Sequence, residues 1–161
     1  MPPLILLAVI VGVPILLGVL LRVSSVLLFF SIMCGELLVR YIAGDVLFSL
    51  ETFTHGRYLA VAVNFALLSL PVALTVYFLK KTMPSSMFLL HILPIIGAGV
   101  VFAIFALPLL TPSLQNQIYG TSIGSIFRQS QDIAVTVAVL LNMLLAWRMY
   151  RNRPHHDKKH K

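Results

Sequence analysis

The chain has 161 residues, of which 59% are hydrophobic and 11% are charged. A soluble domain carries about 25% charged residues, so this chain has too few charges to cover a water-facing surface. The composition therefore excludes a soluble globular domain and predicts an integral membrane protein whose apolar side chains face lipid or each other.

Five apolar runs predict an all-α membrane protein, a bundle of five transmembrane helices with no separate soluble domain. The predicted spans are residues 4–21, 23–43, 58–79, 87–110 and 133–150. The first four are long enough for the roughly 20 residues that cross a bilayer, and an amphipathic extension to Leu50 is compatible with the second. The fifth run is the weakest, so four spans and one interfacial helix are the alternative.

The basic residues predict how the chain is oriented. Alternating crossings place Arg22, the Lys80–Lys81 pair and the C-terminal tail, residues 151–161, on one side. By the positive-inside rule this side is cytoplasmic, which leaves the N-terminus outside. We expect a plasma or inner membrane. The cations expected to anchor the C-terminus at anionic lipid are Arg148, Arg151, Arg153, Lys158, Lys159 and Lys161. This interpretation is favoured over nucleic-acid binding.

Two residues of opposite charge lie within the second apolar run. Glu36 and Arg40 are four residues apart, a spacing at which side chains on a helix meet. Charges in hydrocarbon are costly unless they are paired, hydrated or reach the headgroups. A local ion pair is the favoured interpretation, with Arg40 near the outer headgroups and Glu36 deeper. The alternatives are an ion or proton relay, or a clamp for a charged ligand.

Three further polar residues complete the candidate intramembrane polar site. His91 lies in the fourth run and would form a relay only if the fold brings it to Glu36. Asn64 and Asn142 lie in the third and fifth runs, where hydrogen bonds between helices are the usual role of asparagine.

The longest polar segment, residues 111–132, separates the fourth and fifth runs. Thr111–Pro112 is expected to stop the fourth helix, because the residue before a proline is pushed towards an extended conformation. The spaced apolar residues Ile118, Ile123, Ile126 and Phe127 are compatible with a short helix on the outer membrane surface.

The sequence favours an accessory role over catalysis. Small residues recur four apart, as in Ala62/Ala66 and Gly99/Ala103, and let helices approach closely. The usual catalytic, nucleotide-binding and metal-binding motifs do not occur. We therefore expect no enzyme activity, cofactor or metal site. The expected role is structural, accessory or regulatory within a membrane assembly, with lipid and other membrane subunits or a second copy as partners. The alternative is a small transporter or channel subunit with a polar pathway through Glu36, Arg40 and His91.

The order of the helices resembles that of the colicin V production family of small inner-membrane proteins. The resemblance is carried by Gly18 and Arg22 at the end of the first run, Gly97 and Gly99 in the fourth, and the polar segment 112–131 before a last helix. It implies a multispanning membrane protein. The family brings no defined reaction, so no functional residue is transferred from it.

Overall fold

The computed structural model describes residues 3–51, 56, 58–79 and 88–151, and these residues are almost entirely helical. The helices are α1 (Pro3–Leu20), α2 (Ser25–Glu51), α3 (Leu59–Phe78), α4 (Phe88–Ala106), α5 (Pro112–Tyr119) and α6 (Ser122–Arg151). A single turn of 3-10 helix, Leu107–Leu109, follows α4. No strand occurs among the described residues, so the predicted all-α membrane bundle is confirmed.

Four helices of the described part are long and apolar enough to cross a membrane. They are Ser25–Glu51, Leu59–Phe78, His91–Leu109 and Ser122–Arg151, whereas Leu4–Leu20 is a shorter apolar helix. These lengths differ from the expectation from the sequence, in which the fifth run was the weakest candidate for a membrane span. In the structure that run belongs to the longest helix, and the first run forms the shortest of the five.

The start of α6 differs from the prediction by several turns. The sequence placed the last span at residues 133–150 and a separate interfacial helix before it, but α6 begins at Ser122. Its first turns contain polar residues, and the hydroxyls of Ser125 and Ser130 are satisfied by donating to backbone carbonyls within the helix. The Gly124 N–H donates to Thr121 Oγ1 at 3.1 Å, which caps the helix N-terminus. The separate short helix, α5, ends at Tyr119 instead.

Helix α4 lies at the centre of the bundle and packs against α1, α2 and α6, while α3 packs mainly on α2. The side chains with no exposed surface include Leu28 and Ile32 of α2, Leu68 of α3, and Ile95 and Val101 of α4. Aliphatic side chains of this size fill the space between helices without burying polar atoms. The core therefore lies around α2 and α4, and α1, α3 and α6 also contribute buried side chains to it.

Neighbouring helices run in alternating directions. Gly18 of α1 lies against Ile95, and Val11 lies against Gly99, so α1 is antiparallel to α4. The connection with Arg22 is therefore at the N-terminal end of α4, where α6 also ends with Arg148 and Arg151. This grouping agrees with the charge pattern of the sequence. Lys80, Lys81 and the tail cations from Arg153 onward lie outside the described residues, and the orientation in the membrane stays a prediction.

Candidate functional site

The predicted ion pair of α2 is present. Arg40 Nε donates to Glu36 Oε1 at 2.8 Å, one helical turn away. The Glu36 side chain is 17% exposed and that of Arg40 is 68% exposed. The arginine therefore reaches outward while the carboxylate stays largely covered, as expected for a long side chain that extends from a partly buried partner.

This ion pair lines an open groove of about 550 Å³ between α2, the end of α4 and α6. The polar groups opposite the pair are Gln131, Asp132 and Thr136 of α6. The Thr136 hydroxyl donates to the backbone carbonyl of Asp132 at 2.8 Å. The Asp132 carboxylate makes no ion pair with any described residue. The groove thus combines two carboxylates, one guanidinium, an amide and a hydroxyl.

Asp132 and Gln131 were not predicted as site residues, because both lie in a polar segment that looks like a connection between helices. One signal was present in the sequence. Asp132 directly precedes the apolar run that begins at Ile133, just as Arg40 lies close to the end of the apolar part of α2. Charges at the ends of apolar runs are expected near the membrane boundary, where residues from different helices can meet.

His91 does not belong to this groove. It has no exposed surface, and its Nδ1 lies 3.1 Å from Ser25 Oγ at the start of α2. Its Nε2 atom is buried and has no hydrogen-bond partner in the described part of the chain. Ser25 and Glu36 are separated by about 16 Å along α2, at 1.5 Å per residue. Among the described residues His91 therefore lies apart from the Glu36–Arg40 pair, and a pathway that joins the three stays a prediction.

The two asparagines also occupy separate positions. Asn142 is buried, and its Nδ2 donates to the Ala138 carbonyl of its own helix at 2.9 Å. The expected hydrogen bond between helices is therefore replaced by one within α6. The side-chain oxygens of Asn64 and Asn142 are both buried without a partner among the described residues.

Two of the predicted anchor cations lie at the opposite end of the bundle, and their role at anionic lipid stays a prediction. Arg148 and Arg151 are exposed in the last turn of α6, where cations also interact favourably with the helix dipole. The remaining anchor residues, Arg153, Lys158, Lys159 and Lys161, lie outside the described residues.

Other reactive groups are sparse in the described part of the chain. No three His, Cys, Asp or Glu side chains there are grouped so as to hold a metal ion. Cys34, the single cysteine of the sequence, is exposed on α2 as a free thiol. The groove between α2, α4 and α6 is consequently the main polar feature available for recognition.

Comparison of the chain with protein-family models, curated proteins and solved structures gives no match. The resemblance to the colicin V production family therefore stays an expectation from the order of the helices, and the site is interpreted from its own geometry.

Proposed function

We propose that this chain is a non-enzymatic accessory component of a membrane assembly. In this proposal, the outward face of α3 packs against another membrane subunit or a second copy of the chain. The observation that supports the proposal is a row of exposed alanines on α3, because small residues elsewhere in the bundle, such as Gly35 and Gly99, lie at close helix contacts.

Within the bundle, small residues occur where helices approach most closely. A Cβ atom at Gly35 would collide with the backbone of Leu68 on α3. One at Gly99 would lie 2.8 Å from the Val11 carbonyl oxygen. Close backbone approach of this kind is how membrane helices gain packing energy without a hydrophobic driving force. These positions join α2 to α3 and α1 to α4.

Helix α3 carries the same kind of residue on a face that no described helix covers. Ala62, Ala66 and Ala73 are exposed and lie four and seven residues apart, which places them on one side of the helix. The buried residues of α3 are Val63, Leu68, Val72 and Val76. An alanine stripe that faces outward offers a neighbouring membrane helix the same close approach that the internal contacts use.

The transport alternative requires a continuous polar route through the bundle. Between the His91–Ser25 contact and the Glu36 groove, α2 contributes Leu28 and Ile32 to the interior of the bundle, and α4 contributes Ile95 and Val101. All four side chains are fully buried and apolar. This layer favours a binding role over conduction, because ions and polar substrates need hydrated or polar surroundings to cross.

Photo-crosslinking from α3 tests the proposal. A photoreactive residue placed at Ala66 is expected to give a discrete protein adduct in native membranes, identified by mass spectrometry. The same residue at Ala60, exposed on another side of α3, is the matched control and is expected to label mainly lipid.

A steric variant provides the second arm. Ala66→Phe blocks close approach and is expected to lower recovery of the assembly in mild detergent, whereas Ala60→Phe leaves recovery unchanged. The proposal is contradicted if both positions label only lipid and the purified chain is monomeric in nanodiscs formed directly from the membrane.

A further inference from the structure

The groove between α2, α4 and α6 retains charges of both signs after its internal ion pair is counted. Arg40 uses Nε to bind Glu36, and its two terminal nitrogens make no hydrogen bond with the described residues. With 68% of its side chain exposed, Arg40 offers these donors to the groove. Asp132 adds a carboxylate that makes no ion pair with a described residue. The groups left to bind a ligand are thus the Arg40 guanidinium, which can donate two hydrogen bonds, and the separate Asp132 carboxylate.

The walls of the same groove are apolar and lie towards the end of a membrane span. Ile104, Phe105 and Leu109 line it from α4 and the following turn, and Val135 lines it from α6. The part of this wall that comes from α4 and the following turn begins at Ile104 and ends at Leu109. At a rise of 1.5 Å per residue, it is about 8 Å long. Leu109 ends the candidate span that begins at His91, so the groove extends from the span boundary into the apolar region.

We propose that this groove binds a phospholipid whose headgroup carries both a phosphate and a primary ammonium group, as in phosphatidylethanolamine. The Arg40 guanidinium binds the phosphate through its free terminal nitrogens, a geometry that arginine favours. Asp132 accepts a hydrogen bond from the ammonium, and Glu36 holds Arg40 in place. The first acyl carbons contact Phe105 and Leu109.

Charge and size select this class of occupant. An anionic headgroup would meet the two carboxylates, and a simple cation would meet Arg40, whereas a zwitterion satisfies both signs. A quaternary ammonium has no N–H to donate to Asp132, so choline headgroups lose that hydrogen bond. A volume of about 550 Å³ is within the usual range of small-molecule sites, roughly 300–1,000 Å³. The site uses other helices than the α3 face, so it stands independently of the proposed assembly role.

Native mass spectrometry of the purified full chain tests the proposal. The protein in detergent micelles is titrated with phosphatidylethanolamine, phosphatidylcholine and phosphatidylglycerol of matched acyl chains. We expect the ethanolamine lipid to bind about tenfold more tightly than the choline lipid, as one charge-assisted hydrogen bond predicts. Binding of the glycerol lipid is expected to be weakest. Soluble phosphoethanolamine is expected not to compete, because it lacks the acyl carbons.

Three variants assign the contacts. Asp132→Asn is expected to lower ethanolamine-lipid affinity more than choline-lipid affinity, because only the primary ammonium loses a charge-assisted hydrogen bond as well as the attraction of the carboxylate. Arg40→Gln is expected to weaken both lipids. Where Arg40→Gln disturbs folding, the Glu36→Gln/Arg40→Gln double variant removes both charges and keeps the test valid. Asp45→Asn, at an exposed position of α2 outside the groove, is the control and is expected to change nothing.

Equal affinities for the three lipids would overturn the proposal, as would equal losses of ethanolamine-lipid and choline-lipid affinity in Asp132→Asn. Competition by soluble phosphoethanolamine would also overturn the proposal, because it would show that the groove binds the headgroup without the acyl chains. A photoreactive residue at Thr136, which lines the groove, is expected to label phospholipid in native membranes. A protein adduct there would assign the groove to a partner subunit and exclude the lipid.

Discussion

The two halves of α2 differ in what covers them, although both belong to one continuous helix. In the N-terminal half the buried residues are Ser25, Leu28, Phe29, Ser31, Ile32 and Gly35. In residues 36–51 the single buried residue is Ala43. The first half is thus closed by neighbouring helices, and the second half is open, with the groove at its beginning.

The change between the halves occurs at two adjacent residues. Gly35 faces α3, where its missing side chain lets the Leu68 backbone approach. Glu36 faces the groove and holds Arg40. Burial in this bundle therefore depends on how closely the neighbouring backbones approach. Apolar composition alone does not determine it, because no hydrophobic driving force brings helices together in lipid.

The largest expected effect is at the closest contact of the closed half. Gly35→Ala puts a Cβ atom against the Leu68 carbonyl, which is backbone and cannot rotate away. We expect the free energy of unfolding to fall by about 3 kcal/mol, the upper part of the usual range for overpacking. Denaturant titration of the detergent-solubilised protein, followed by circular dichroism, measures the change.

Gly44→Ala is the matched control in the open half. Nothing lies within 4 Å of a Cβ atom at Gly44, and alanine is the better helix former by up to about 1 kcal/mol. This variant is expected to be neutral or slightly more stable than the parent. Similar losses for the two variants would contradict the division of α2 into a closed and an open half.

The helices could be predicted from the sequence because the bilayer allows few alternatives. Backbone groups in lipid must be satisfied within the segment, so each long apolar run implies a helix. The exceptions arise from local hydrogen bonding. Ser125 and Ser130 look like connection residues, yet their hydroxyls bond to carbonyls of α6, and composition does not report that compensation.

The candidate site was predictable only where it is local. Glu36 and Arg40 meet because they are four residues apart on one helix. Asp132 reaches the same groove from α6, and that proximity depends on the register between helices, which a single sequence does not encode. For the same reason the sequence could not decide whether His91 lies near Glu36 or, as observed, near Ser25.

The second largest effect is expected at the buried hydrogen bond of the closed half. Ser25→Ala removes the hydroxyl that pairs with His91 Nδ1. Both ring nitrogens are then unsatisfied, since Nε2 already lacks a partner among the described residues. Leaving a buried polar group unpaired costs about 2 kcal/mol, and the same denaturant titration measures the loss.

The matched control for Ser25 is Ser49→Ala, the same substitution on the same helix in the open half. The Ser49 hydroxyl donates to the Asp45 carbonyl, and both residues are exposed. Water replaces this bond, so the variant is expected to match the parent. If Ser25→Ala and Ser49→Ala were equally stable, the His91 contact would contribute nothing to the closed half.

The smallest stability effect is expected at the ion pair that begins the open half. Glu36→Gln removes one charge from the groove, but Arg40 is mostly exposed and stays hydrated, so little stability depends on the pair. The melting temperature in lipid-free micelles is expected to fall no further than in Glu51→Gln, a matched change at an exposed position of α2. A loss as large as that of Gly35→Ala would mean that Glu36 is part of the closed packing. The groove would then begin beyond Glu36, and Arg40 would need no partner to keep its place there.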